Sequence, residues 1–169
     1  MKSLQAGFDL EISQLSAIEL LALHAVVAEE LRERGLTRSS NNPTGDLAEY
    51  LFCKAFGWTR TGNSNANIDA IAENGARYQI KGRRMTRHNR SRQMSAIRDF
   101  SGRHFDFLAG VLFTEHYGIH RAALIPYAVV EQRATFVEHT NSHKFVLRDD
   151  VWDAFGVQDV TEQLRAVGL

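Results

Sequence analysis

Cysteine is nearly missing from this 169-residue chain, with Cys53 alone. That excludes an intramolecular disulfide and a cysteine-built zinc cluster, and it suits a reducing, cytoplasmic setting. Proline is scarce as well, at two residues, so there is no Pro-rich linker. No apolar run approaches the length of a membrane span, and the N-terminus lacks a signal-peptide pattern. No membrane partner is implied. A phosphate-cradling G-x-x-x-x-G-K-[ST] stretch is absent, which speaks against ATP or GTP hydrolysis. Ser39-Ser40 has no G-x-S-x-G context. His116 and His120, like His139 and His143, lack the carboxylate and cysteine company that marks a zinc site, and they read as surface histidines.

Net charge is also absent, but only as a sum. Between Lys81 and Arg103 there are eight basic residues and one acid, Asp99, giving +7 and leaving −7 for the rest of a neutral chain. A strong local field is hidden inside global neutrality. The remaining composition, 44% hydrophobic and 24% charged, is that of an ordinary globular protein, long enough for one domain with a substantial core.

Hydrophobic periodicity sets the expected elements. Ser16, with Glu19 at the capping-box position, opens a helix to about Arg34, stopped by Gly35. A second helix runs from Thr44 to about Phe56. Glu49 sits on it among apolar neighbours, where a carboxylate needs a partner unless it lies on a solvated face. Trp58 to Thr61 suits a short strand. Residues 62–67 form a polar loop in which Asn63, Ser64 and Asn65 read as turn chemistry. From Arg83 to about Ser101 the pattern predicts a loop and then a helix, with Met94, Ile97 and Phe100 inward. Phe105 to Phe113 reads as a strand buried on both faces, Ile119 to Ile125 as another, and Pro126 as the start of a short helix to about Gln132. Lys144 to Arg148 is expected to be extended; Val151 to Phe155 and Val160 to Val167 are expected to be helical. Trp58 and Trp152 suit the core.

The chain is organised around residues 68–81, which read as a β-hairpin about Glu73-Asn74-Gly75. Two registers are available. A two-residue Asn-Gly turn sets Asp69 opposite Ile80 and away from Gln79 and Lys81. A three-residue loop with Gly75 left-handed, as a G1 bulge, pairs Ala72 with Ala76. Only the second gathers Ile68, Ala70, Ala72, Ala76, Tyr78 and Ile80 on one face, and the core selects it. Asp69 then lies across from Gln79, with Lys81 diagonal. A carboxylate and neighbouring oxygens suit a hard cation such as Mg²⁺. A lysine beside it can orient or deprotonate water, or offset charge on phosphate. The plainer alternative is a half-exposed hairpin with a wet polar face.

Glu49 on a helix, Asp69 on a strand and Gln79-Ile80-Lys81 on the next strand together resemble the PD-(D/E)XK nuclease superfamily, closest to members with a Gln-x-Lys third motif, including Mrr-like restriction enzymes. The resemblance covers about Thr44 to Pro126. It implies an α/β, restriction-endonuclease-like fold, a mixed β-sheet flanked by helices with the core order α-β-β-β-α-β, preceded by a helical extension (1–43) and followed by short helices and a strand (127–169) in one domain. It further implies a Mg²⁺-dependent endonuclease acting on DNA, with Mn²⁺ as a substitute metal. Glu49, Asp69 and the Gln79 oxygen would hold the metal with the Ile80 carbonyl, and Lys81 would assist the water. Ile68 stands where the family has proline, and Gln79 brings an oxygen without charge. A homodimer is consistent with this reading, because cutting both strands commonly takes two such sites.

A polyanionic substrate calls for a basic surface near the site. Arg83, Arg84, Arg87, Arg90 and Arg92 are the expected phosphate contacts, with His88 and His104 beside them. The rival reading is the same fold with a failed metal site, a module that holds nucleic acid without cutting it. A basic scaffold for an acidic protein is the third.

Overall fold

The structure, a computed structural model, describes residues 11–38, 42–61 and 67–168. Ser39, Ser40, Asn63, Ser64 and Asn65 lie outside the described residues. The chain divides into two compact units, Met1–Pro43 and Thr44–Leu169.

In the first unit, α1 (Ala17–Glu33) begins at Ser16, whose hydroxyl accepts the Glu19 N–H while the Glu19 carboxylate accepts the Ser16 N–H. This reciprocal capping satisfies donors that the first turn leaves without partners. The helix ends where Gly35 takes a φ of +71°, a conformation that glycine adopts at no steric cost. Its apolar side chains Ile18, Leu21 and Val26 are exposed.

The second unit is built on a six-stranded sheet and a smaller three-stranded one. Its elements are α2 (Thr44–Phe56), β1 (Thr59–Arg60), β2 (Ala70–Ile71), β3 (Arg77–Arg84), β4 (Ile97–Arg98), β5 (Phe107–Phe113), β6 (Ile119–Pro126), α3 (Tyr127–Arg133), β7 (Thr135–Val137), β8 (Ser142–Lys144), β9 (Gln158–Asp159) and α4 (Thr161–Arg165). The large sheet has the order β1-β2-β3-β5-β6-β9, with β3 and β5 parallel and the other neighbours antiparallel. The small sheet is β4-β8-β7. The unit is therefore mixed α/β, and no described helix is long and apolar enough to cross a membrane.

Both faces of the large sheet are buried. Along β5, Ala109, Val111 and Phe113 join one core cluster, while Leu108 and Leu112 join the other. That alternation inside a continuous apolar run is what a strand covered on two sides requires. The first cluster lies under α2, through Leu47, Ala48, Leu51 and Phe52. Burying a large apolar side chain contributes roughly 1.5–3 kcal/mol, so this face anchors the helix. Gly82 sets how closely α2 approaches. A Cβ there would stand 2.8 Å from the Thr44 carbonyl oxygen and 3.0 Å from the Ala48 Cβ. Trp58 stacks on Phe52 and Tyr78 within the same cluster.

The second cluster differs from the sequence expectation. No helix forms between Arg83 and Ser101; β4 and a short 3-10 turn at Phe100–Gly102 stand there. The order α-β-β-β-α-β is broken at its second helix. The residues expected inward are inward: Met94, Ile97 and Phe100 are buried. Their backbone is claimed by other partners. Asn89 N–H donates to Thr86 Oγ1, Ser91 N–H to Asn89 Oδ1 and Gln93 N–H to Ser91 Oγ, local bonds that compete with a helix. Met94 N–H then donates to the Phe145 carbonyl, and Ile97 pairs with His143. The crossover thus covers the sheet in extended form.

Smaller differences lie near the C-terminus. The strand itself is Ser142–Lys144, and the expected extended piece to Arg148 continues from it through a bridge between Val146 and Gln93; residues 149–151 form a 3-10 turn where a helical segment from Val151 to Phe155 was expected. Strands β7 and β9 had no sequence signal. Pro126 caps α3 rather than opening it.

Candidate functional site

The hairpin takes the three-residue register. Ala70 pairs with Tyr78, Ala72 N–H donates to the Ala76 carbonyl at 2.9 Å, and Gly75 has a φ of +83°. Asn74 Oδ1 braces the turn by accepting the Ala76 N–H at 3.0 Å. Asp69, just before β2, lies past the last regular pair, opposite the Tyr78–Ile80 stretch of β3.

At Asp69 the two strands part. Its N–H still reaches the Tyr78 carbonyl at 2.9 Å, and its carbonyl accepts from Thr61 N–H at 3.0 Å. The Ile80 N–H, however, is taken by the Asp69 side chain, Oδ2, at 2.6 Å. A strand residue points its N–H and C=O toward the same neighbour. The Ile80 carbonyl is accordingly aimed into the same opening as the carboxylate.

Strand alternation decides what shares that opening. Tyr78 and Ile80 belong to the α2 cluster, and Gly82 touches α2 directly. Gln79, Lys81 and Arg83 must then lie on the opposite face. Gln79 is 3% exposed, and its Oε1 has no hydrogen-bond partner among the described residues. A buried carbonyl-type oxygen without a donor costs about 1–3 kcal/mol, so its retention asks for a ligand. Lys81 is half-buried, with no hydrogen bond or ion pair among the described residues. Its neighbour on β5 is Gly110, which brings no side chain against it.

Glu49 is placed differently. It projects from α2, on the other side of the sheet, and its side chain is only 13% exposed. The carboxylate lies 3.6 Å from Arg60 Nε, and Arg60 also donates to the Asp46 carbonyl at 2.8 Å. Glu49 is thus a largely buried charge compensated by a cation, not a member of a solvated helix face. Arg60 was not singled out from sequence; a lone arginine in a two-residue strand carries no spacing signal. Among the described residues no group of three or more His, Cys, Asp and Glu side chains is placed to hold a metal. The oxygens that the hairpin itself converges are one carboxylate, one amide and one backbone carbonyl, a hard set with little charge. That donor chemistry fits Mg²⁺ or Mn²⁺ bound with several waters.

The expected arginines separate into groups. Arg83, on the Lys81 face, donates from Nε to the Ser91 carbonyl at 2.9 Å. Arg84 faces the other way, donating to the Glu115 carbonyl and lying over the Tyr117 ring. Arg87 and Arg90 are exposed around the Thr86–Asn89 turn, with Arg87 hydrogen-bonded to His88. Arg92 is ion-paired with Asp149 at 2.7 Å. His104 is engaged by Asp99 at 2.6 Å.

The chain matches no protein-family model and no curated protein sequence. Its own geometry is what supports a function.

Proposed function

We propose that the protein is a divalent-metal-dependent nuclease of restriction-endonuclease-like fold that hydrolyses DNA phosphodiester bonds at the hairpin opening. The observation that carries this reading is the buried Gln79 Oε1, without a hydrogen-bond partner among the described residues, on the strand face it shares with the Lys81 side chain, with the Asp69 carboxylate bound to the Ile80 N–H between them. Asp69, Gln79 and the Ile80 carbonyl would hold Mg²⁺ or Mn²⁺; Glu49, engaged by Arg60 on the α2 side, would stay outside that shell. When bound, the metal supplies Lewis acidity and a water of lowered pKa. The residues do the rest. Asp69 is oriented by its bond to Ile80 N–H, which leaves its second oxygen for the metal. Lys81 brings a positive charge and a movable proton to the position where an attacking water meets phosphorus. Arg83 continues the same face toward Arg87 and Arg90, giving the phosphate backbone a basic path.

One observation favours a second reading, nucleic-acid binding without cleavage. Glu49 already has Arg60 to offset it, and Gln79 adds no charge, so the site has low negative charge for a cation. The deciding experiment is cleavage of supercoiled plasmid in Mg²⁺ or Mn²⁺ by wild type, Asp69→Ala and Lys81→Ala. Cleavage lost with EDTA and in both variants supports the nuclease. Salt-sensitive DNA binding with no cleavage supports the binding module.

A further inference from the structure

Beside the crossover, β4 and the β7–β8 hairpin border a cavity of about 500 Å³, within the range of small-ligand sites. Its lining is unlike the rest of the surface. Three rings run along it, with His143 centred 4.7 Å from Phe100 and 5.2 Å from Phe136. Phe100 is buried and forms the base of the row, whereas Phe136 is 53% exposed. A large aromatic that folding leaves in water, next to two others in a cavity, is an available stacking face. Polar groups complete it. Arg98 is exposed and has no hydrogen bond or ion pair among the described residues. The Asn141 side-chain amide is likewise unengaged among the described residues, on a residue held at φ +43°.

The cavity wall is hydrogen-bonded to the chain that leads into the hairpin. Asp99, in its wall at φ +46°, accepts from Asn67 Nδ2 at 3.4 Å. Asn67 is two residues ahead of Asp69.

We propose that the cavity takes one unstacked nucleotide of a nucleic-acid strand, the base against Phe136 and His143, its edge at Asn141 and a phosphate at Arg98. The inference rests on the nucleic-acid reading above. The chemistry selects the ligand. A planar heteroaromatic ring uses the rings and the amide together, and a single adjoining guanidinium matches one phosphate. An acidic peptide would meet only that one cation, with Asp99 beside it.

The test is fluorescence anisotropy of an end-labelled single-stranded dodecadeoxynucleotide with the full chain in EDTA, so that cleavage does not interfere. Phe136→Ala, at an exposed position, should weaken binding roughly tenfold with the salt dependence unchanged. Phe136→Trp should restore it. Arg98→Gln should lower the log–log salt slope by about 0.7. Circular dichroism checks that each variant is folded. Wild-type affinity in folded Phe136→Ala overturns the proposal, and if wild type cleaves plasmid at the same time, the nuclease reading survives it. A tenfold loss in Phe136→Ala from a wild type that never cleaves upholds the cavity and sinks the nuclease. No oligonucleotide binding by wild type at any salt concentration overturns the cavity proposal, and plasmid cleavage by the same protein decides the nuclease reading separately.

Discussion

The Asp69 carboxylate stands 2.6 Å from the Ile80 amide nitrogen and replaces the rung at which β2 would otherwise have continued. One oxygen is thereby a structural acceptor, and the other remains for chemistry. The two roles separate under isosteric change. Asp69→Asn keeps an oxygen acceptor and should melt within about 0.5 kcal/mol of wild type, whereas Asp69→Ala orphans the Ile80 N–H and should lose about 1–2 kcal/mol. Both should lose Mn²⁺ binding and cleavage. Denaturant melts and a metal titration measure these separately, and full cleavage by Asp69→Asn would remove Asp69 from the site.

Gln79 offers a test with an unusual sign. Its Oε1 is buried without a partner among the described residues, so in metal-free protein Gln79→Leu should be neutral or stabilising, by up to about 1–2 kcal/mol, because it removes an unsatisfied group. The same change should abolish metal binding. Gln79→Glu should do the reverse, destabilising the apo protein and tightening Mn²⁺. Urea unfolding with and without Mn²⁺ reads all four quantities. A Gln79→Leu variant that still gains stability from Mn²⁺ as wild type does would show that the amide is not a ligand.

Lys81 makes no hydrogen bond or ion pair among the described residues, so Lys81→Met should leave the melting temperature nearly unchanged. General acid–base assistance is worth typically 10²–10⁴-fold. Single-turnover cleavage should therefore fall by at least about 100-fold, with metal affinity retained. A loss below tenfold would assign the proton chemistry elsewhere.

These three residues were legible because a hairpin register is a short-range problem. Asn74-Gly75 with alternating apolar residues on either side fixes which side chains share a face, and a one-residue slip would have buried Gln79 and Lys81 among the isoleucines. The helix ends at Ser16 and Gly35 were legible for the same reason, since caps are local. The crossover was not. Met94, Ile97 and Phe100 recur at a spacing of three, which suits a helix face, yet Thr86, Asn89 and Ser91 bind the backbone locally, and Phe145 and His143 claim the rest from some fifty residues away. Periodicity does not contain such a partner. The Glu49–Arg60 pair escaped notice similarly, because it joins α2 to β1 in space and not by spacing.

Arg77 and Asp106 tie the starts of β3 and β5 together. Arg77 donates from Nη2 to Oδ1 at 2.9 Å, while Arg77 N–H and Nε both donate to Oδ2. The Arg77 side-chain hydrogen bonds hold the Asp106 carboxyl below its ordinary value, against the opposing effect of partial burial. A depressed folded-state pKa contributes stability above the unfolded value, near 4, and that contribution is lost as pH falls through the folded value. The pair is 39% and 42% exposed, so water screens it. Asp106→Asn should cost about 1 kcal/mol at pH 7, or about 3 °C in melting temperature. The gap should close as pH falls below about 4. An equal gap at both ends would mean that packing, not charge, is responsible.

The arginines should not contribute equally to DNA binding. Arg90 is exposed with no partner among the described residues, so Arg90→Gln should lower the log–log salt slope on duplex DNA by about 0.9, the release expected for one phosphate contact. Arg92 is neutralised by Asp149, which Arg121 also approaches at 3.4 Å. Arg92→Gln should change the slope less, and Asp149→Ala should tighten binding by freeing the Arg92 guanidinium, while Arg121 keeps Asp159. Arg84, turned to the α2 face over Tyr117, should leave the slope unmoved. Filter binding across a salt series with these four variants measures the path directly. Equal slopes for Arg84→Gln and Arg90→Gln would place the nucleic acid on a different surface from the Lys81 face.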